Sequence, residues 1–320
     1  MKLQRPKIVI TDAATVSQGE LDLSPIESQG ELTIYESTPD AALADRIADA
    51  DILLCNKTKI DRTLIAGAKR LSLIALFATG YNNIDTVAAR EHGIVVSNAG
   101  QYSTAAVAQH TFALILELCS KVGGYNELVR SGMWRSSALF SPIEYKTSEI
   151  YGKTLGIFGF GSIGRAVADV GRAFGMRVIA CTRTPRETPG VEFVSFDRLL
   201  AESDVLSVHC PLTAETSLRF GAHEFAAMKK SAIFINTSRG GTVDEIALAN
   251  ALESCEIAAA GLDVLTIEPQ SGDCPLTPSD RLIITPHVAW TPIETRKRLV
   301  DIVADNVRNF LDGHPTNVVN

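Results

Sequence analysis

No apolar run in the 320-residue chain approaches the roughly 18–20 residues that a helix needs to span a bilayer, so a soluble protein is expected. The opening MKLQRPKIVITDAATV reaches charge and a strand-like IVI too soon for a secretory signal, and a cytoplasmic location follows as the expectation. None of the six cysteines (Cys55, Cys119, Cys181, Cys210, Cys255, Cys274) forms a CxxC. Cys55, Cys181 and Cys210 sit in or at the ends of apolar runs, which points to packed, reduced thiols rather than a redox or metal site. No spacing among the histidines suggests a metal either. Basic clusters are missing and the formal charge is −7, which argues against a nucleic-acid surface and for a small-molecule function. Repeats and low-complexity tracts are also lacking.

What is present is ordinary globular composition, 46% hydrophobic and 21% charged, in a chain long enough for two domains. Short apolar runs alternate with helical patterns: KIVI (7–10), LTIY (32–35), DILLC (51–55), LSLIALF (71–77) and IVVSN (94–98). This βαβ rhythm predicts a parallel sheet. STAAVAQHTFALILELCSKV (103–122) reads as a long buried helix, and a polar stretch of about thirty residues follows it. A second series begins with TLGIF and continues through RVIAC (177–181), DVLSVHC (204–210), SAIFINTS (231–238), AAAGLDVL (258–265) and RLIIT (281–285). These six strands make a doubly wound unit of their own. TPIETRKRLVDIVADNVRNFL (291–311) reads as one amphipathic helix that returns to the first domain. The expected fold is therefore α/β with two doubly wound parallel-sheet domains. One is discontinuous, over 1–100 and 290–320, and the other covers 101–289.

The second series opens on Gly159-Phe160-Gly161-Ser162-Ile163-Gly164. GxGxxG alone is weak, but here a strand precedes it, a helix follows it and another strand begins at Arg177. In that context the first glycine permits a tight turn, the second lets a pyrophosphate approach the backbone, and the third lets helix and strand pack closely. A dinucleotide site is predicted.

Three residues lie just past the carboxyl ends of predicted strands, where ligands bind in open α/β sheets: Arg239 in INTSRGG, Glu268 in TIEP and His287 in ITPHVAW. Taken singly, each has a plain reading as a loop, turn or capping residue. Together they supply what oxidation of an alcohol beside a carboxylate requires. A histidine takes the hydroxyl proton and returns it in reduction. An arginine forks onto the carboxylate and polarises the neighbouring carbonyl. A glutamate bonded to the imidazole favours its protonated form and fixes its tautomer.

GFGSIG, VHCPLTAETSLRF (208–220), INTSRGGTVDE (235–245), AAAGLDVLTIEP (258–269) and TPHVAW (285–290) resemble, in order and across nearly the whole chain, the motifs of the D-isomer-specific 2-hydroxyacid dehydrogenases. The resemblance implies a flavodoxin-like substrate domain beside a Rossmann cofactor domain, an active-site cleft between them, and a homodimer joined through the cofactor domain. It makes Arg239, Glu268 and His287 the catalytic set. LFATGYNNID (76–85) is similar to the family's substrate loop, where the N–H groups of Thr79 and Gly80 would take the substrate carboxylate. Cofactor contacts implied by the same resemblance fall on Thr104, Gly159, Gly161, Ser162, Ile163, Gly164, Thr182, Arg183, His209, Cys210, Pro211, Thr216, Thr237, Ser238 and Asp263. The chain lacks room for the extra regulatory domain of many phosphoglycerate dehydrogenases, and Glu268 departs from the formate dehydrogenases. LLCNKTKID, ATGYNNID and HVAW are most similar to the glycerate dehydrogenase (hydroxypyruvate reductase) group, which implies hydroxypyruvate first and glyoxylate second. Lys57 is a candidate for the substrate's distal hydroxyl, or an exposed loop lysine; Trp290 is a candidate pocket wall, or packs at the domain junction. Two other classes stay open: a relative acting on another 2-keto acid or on phosphite, and a non-catalytic dinucleotide sensor like the corepressors that resemble this family.

One feature departs from NAD-using relatives. Thr182 stands where they carry an aspartate that binds both ribose hydroxyls and repels a 2′-phosphate, and Arg183 follows it with Arg186 nearby. NADP, or dual use with NAD, is expected; Arg183 lying over the adenine face would instead accept either cofactor.

Overall fold

The computed structural model describes residues 5–270 and 272–320, which divide into two compact units. One comprises the described residues up to Tyr102 together with Thr291–Asn320, and the other is Ser103–Trp290. Each is a parallel sheet with helices packed on it.

The first unit has five strands, β1 (Lys7–Ile10), β2 (Glu31–Ile34), β3 (Ile52–Cys55), β4 (Leu73–Leu76) and β5 (Val95–Ser97), in the order β2-β1-β3-β4-β5. That order is the flavodoxin-like one, with its switch point between β1 and β3. β3 and β4 are buried along their whole length, as expected of interior strands covered on both faces. Leu53, Ile74, Leu76 and Val96 pack with Leu43 and Ile47 of the helix Asp40–Ile47 and with Ile65, Ala88 and Ala89 of the two that follow. The helix Ile293–Leu311 lies against β4. It buries Leu299, Val300, Val303, Ala304 and Val307, the one-sided spacing of an amphipathic helix. The last residues then close the β5 edge, where the Val319 N–H donates to the Val96 carbonyl at 2.9 Å and Asn320 Oδ1 accepts from the Val96 N–H at 2.9 Å.

The second unit has seven strands rather than the six predicted: β6 (Thr154–Phe158), β7 (Arg177–Cys181), β8 (Val191–Phe193), β9 (Val205–Val208), β10 (Ile233–Asn236), β11 (Ala259–Leu262) and β12 (Leu282–Ile284). They run in the order β12-β11-β10-β9-β6-β7-β8, all parallel, with the reversal between β6 and β9. The added strand β8 is three residues long and sits at the edge. Helix Thr104–Ser120 packs on β10 and β11 and on helix Ser162–Ala173. Small residues make room for it: a Cβ built on Gly261 would stand 3.1 Å from Leu114 Cβ. The stretch read as polar holds two more helices, Val122–Arg130 and Met133–Ser136. On the other face, Phe220 and Phe234 are fully buried in a chain of rings, with centroids 5.1 Å apart and Phe158 edge-on to Phe220 at 5.3 Å. Such pairs add about 0.5–1.5 kcal/mol each beyond burial. Among the described residues no helix is long and apolar enough to cross a membrane.

Candidate functional site

The site in the second unit is built at the carboxyl ends of β6, β9, β10, β11 and β12. After β6 the chain turns through Gly159, whose φ of +93° is open to glycine and strained for other residues. A side chain there would also strike the next loop, since its Cβ would lie 2.6 Å from the His209 carbonyl oxygen. Gly164 packs helix onto turn, 2.3 Å from Gly159 O to an added Cβ. Gly161 differs, because its Cβ would meet nothing within 4 Å. The close-packing glycines hold the turn, and the open one leaves backbone exposed at the start of helix Ser162–Ala173. Gly161, the cap residue, brings no side-chain acceptor to the first-turn N–H groups. That arrangement fits the pyrophosphate of a dinucleotide.

Past β12, Pro286 disfavours a helical Thr285, and the chain turns sharply at His287, whose φ is +55°. Left-handed backbone at a histidine costs of order 1 kcal/mol, and several bonds hold it. The buried Asp263 at the end of β11, 1% exposed, accepts from the Val288 and Ala289 N–H groups, both at 2.9 Å, and from Thr285 Oγ1 at 2.6 Å. His110 on helix Thr104–Ser120 lies 2.9 Å from Thr285 Oγ1 and 3.4 Å from Asp263 Oδ1. Burial alone would raise the Asp263 pKa; bonds from His110, Thr285, Ala289 and Val288 outweigh it and hold the carboxyl below its ordinary value. The Asp263 carboxylate thus braces the histidine turn. Trp290 Nε1 donates to the His287 carbonyl at 3.0 Å.

Held this way, the imidazole meets Glu268, with Nδ1 2.7 Å from Oε2. A carboxylate oxygen only accepts, so Nδ1 carries the hydrogen and Nε2 is left as the proton-exchanging nitrogen. The pair stays reachable, the side chains being 27% and 36% exposed. Glu268 Oε1 in turn accepts from the Leu265 N–H at 2.9 Å. Gly240 brings Arg239 to the same loop: a Cβ there would lie 1.9 Å from the Leu265 carbonyl carbon, so no larger residue fits. The buried Asn236 at the end of β10 shapes this turn. Its Nδ2 donates to the Arg239 carbonyl at 3.0 Å, and its Oδ1 accepts from the Ser238 N–H and hydroxyl at 3.0 and 2.8 Å. Arg239 Nη1 donates to the Ser238 carbonyl at 2.7 Å.

The remaining predicted residues of this unit are distributed as follows. Thr182 and Arg183 follow β7; His209, Cys210 and Pro211 follow β9; Thr104 opens its helix. Burial pushes His209 down to about 3 and the Cys210 thiol up to about 11, so both are uncharged at neutral pH. His209 Nε2 is 2.8 Å from Ser207 Oγ. The Thr216 hydroxyl closes its own turn by donating to the Pro211 carbonyl at 2.7 Å, and Thr237 Oγ1 faces Thr111 Oγ1 at 3.1 Å. Sequence reasoning missed Asn236, His110 and Thr285, whose service is to hold backbone in place.

In the first unit, Asp12 after β1 accepts from the N–H groups of Asn56, Lys57 and Thr58, at 2.9, 2.6 and 2.8 Å. Asn83 Nδ2 donates to the Thr58 carbonyl at 2.8 Å, tying the Lys57 turn to the loop after β4. Within that loop Thr79 donates its hydroxyl to the Gly100 carbonyl, and the Thr79 carbonyl accepts from Asn98 Nδ2 at 2.7 Å. Lys57, Thr79 and Gly80 are thus on neighbouring loops of one sheet end.

Comparison with known proteins bears on this chemistry. The family model described as D-isomer specific 2-hydroxyacid dehydrogenase, NAD binding domain, matches residues 112–289. A hydroxypyruvate reductase of Blautia hydrogenotrophica is 41% identical over 98% of this chain and 99% of that protein. A glycerate dehydrogenase of Methylorubrum extorquens is 38% identical over 89% of this chain and 90% of its own. Among solved structures, an NADPH-dependent glyoxylate/hydroxypyruvate reductase of Sinorhizobium meliloti in complex with NADP and malonate superposes with a TM-score of 0.85, at 30% identity, over 98% of this chain and 97% of that one. The chain therefore belongs to the D-isomer-specific 2-hydroxyacid dehydrogenases, oxidoreductases that work with a nicotinamide dinucleotide.

Proposed function

We propose that the enzyme reduces hydroxypyruvate to D-glycerate, with glyoxylate as second substrate, and that it takes NADPH or both cofactors. The observation that carries the mechanism is the Glu268–His287 pair at 2.7 Å, on a loop locked by Gly240 against the Arg239 turn. A bound nicotinamide would supply the hydride for the substrate's second carbon. Arg239 binds the substrate carboxylate and polarises the adjacent carbonyl. His287 Nε2 delivers the proton to the carbonyl oxygen, and Glu268 steadies the imidazolium before delivery. Thr79 and Gly80 N–H groups take the carboxylate, Lys57 meets the distal hydroxyl, and Trp290, tied to the histidine turn, walls the pocket. In this reading the unit Ser103–Trp290 holds the cofactor and the other unit the substrate. Hydroxypyruvate is favoured by relatives bearing that activity in their names.

NADPH is favoured by the end of β7, where Thr182 leaves no carboxylate and Arg183 is 82% exposed at the side chain. The decisive assay compares NADPH and NADH oxidation with hydroxypyruvate, glyoxylate and pyruvate. Hydroxypyruvate should be turned over fastest, and Arg183→Ala should raise the NADPH KM by roughly tenfold, the worth of one charge-assisted bond. Absence of hydroxypyruvate turnover with both cofactors would sink the substrate; an unchanged NADPH KM in Arg183→Ala would sink the phosphate role.

A homodimer through the cofactor unit is part of the same reading. The segment after helix Thr104–Ser120 carries Met133, Trp134, Leu139, Phe140 and Ile143 at the surface, with Phe140 91% and Ile143 86% exposed. So many apolar side chains together mark an interaction surface. Light scattering should give a dimer for the native chain and a monomer for the double variant Phe140→Glu with Ile143→Glu. A native monomer would end this part of the proposal.

A further inference from the structure

The cofactor reading leaves a question at the adenosine end: what discriminates when the usual carboxylate is replaced by Thr182? The structure supplies a carboxylate from a different loop. β7 and β9 both pair with β6, one on each side, so the loops after them flank the glycine turn. Arg183 lies in the first loop and Glu215 in the second, and Arg183 Nη1 stands 3.7 Å from Glu215 Oε2. Both side chains are largely in solvent, 82% and 73% exposed, so each is free to meet a ligand. The Glu215 loop is not slack: Thr216 Oγ1 accepts from the Thr213 N–H at 2.8 Å and donates to the Pro211 carbonyl, which fixes where Glu215 starts. Beneath it the chain runs into Phe220, fully buried.

We infer that Glu215 is a cofactor-specificity residue, acting as the counter-charge of Arg183 and setting the balance between NADPH and NADH. This rests on the reading of Arg183 as the 2′-phosphate ligand. In the free enzyme the guanidinium faces the carboxylate. A 2′-phosphate must take Arg183 from Glu215 and then sit beside a negative charge, which lowers the gain from binding it. A 2′-hydroxyl carries no charge and can donate to the same carboxylate. Glu215 thereby performs from the β9 loop part of what an aspartate performs at the end of β7, which favours dual use over strict NADPH use. An exposed pair at this distance is weak and screened by salt, so the effect is a tuning of preference and not a switch.

The test is a double-mutant cycle read by binding. The native protein, Glu215→Gln, Arg183→Ala and the double variant are titrated with NADPH and with NADH, following nicotinamide fluorescence, without substrate. Glu215→Gln should tighten NADPH by roughly two- to fivefold relative to NADH. In the Arg183→Ala background the gain should shrink to less than half, and at high salt it should shrink in both. A Glu215→Gln protein whose NADPH-to-NADH affinity ratio stays native, while Arg183→Ala weakens NADPH, overturns the inference and leaves the Arg183 assignment standing. An equal gain with and without Arg183 overturns the pairing. Native NADPH affinity in Arg183→Ala removes the 2′-phosphate reading and the inference with it.

Discussion

His287→Asn is expected to lower kcat for keto-acid reduction by about a hundred- to ten-thousandfold, with cofactor affinity little changed. Asparagine is the informative substitution because the backbone here has φ +55°, which asparagine tolerates better than alanine. The Asp263 bonds to Val288 and Ala289 can therefore persist. What is lost is the nitrogen that exchanges the proton, and the loss falls on kcat rather than KM. His287→Ala should match it in kcat and fall further in stability. Glu268→Gln keeps a group that can accept from Nδ1 but replaces a charge-assisted bond by a neutral one, so a smaller loss is expected, on the order of tenfold to a hundredfold. Steady-state kinetics with hydroxypyruvate, and with glyoxylate as a check on substrate, would measure all three. A kcat within tenfold of native in His287→Asn would remove His287 as the proton carrier.

Much of this site was legible because strand ends can be read from apolar runs. Arg239, Glu268 and His287 each follow such a run, and the rule that ligands gather at carboxyl ends of parallel strands does the rest. Less could be read where a short or half-exposed element carries no periodic signal. β8 spans only three residues, with Val191 and Phe193 half-buried against the core and Glu192 exposed, so VEF is too short a run for its alternation to stand out. The helix Val122–Arg130 contains Gly123 and Gly124, poor helix formers, and buries only Leu128. Side-chain bookkeeping was illegible for a different reason. Asp263 meets Thr285, Val288 and Ala289 only because β11 and β12 are neighbours, and nothing in GLDV states that. Glu215 is the extreme case: an exposed glutamate in a polar loop looks idle until the sheet order places it beside Arg183.

Arg239→Lys should lose about a hundred- to a thousandfold in kcat/KM, roughly 3–4 kcal/mol of transition-state stabilisation, despite keeping the charge. The structure gives the reason. Arg239 Nη1 already donates to the Ser238 carbonyl at 2.7 Å, which fixes the plane of the guanidinium and leaves its other N–H groups to fork onto a carboxylate. Lysine has three donors on one rotating nitrogen and cannot both hold that bond and present two parallel donors. The turn itself should survive the substitution, because Asn236 and Thr242 bond the Arg239 carbonyl and Gly240 rather than the side chain packs on Leu265. An unchanged melting temperature alongside the kinetic loss would show that fold and function separate here. Arg239→Ala should lose more, and free guanidinium added to the assay should recover part of its activity, whereas added ammonium should not. Arg239→Lys within fivefold of native kcat/KM would mean that the carboxylate is bound by charge alone, and the fork would have to be sought elsewhere, first at the backbone N–H groups of Thr79 and Gly80.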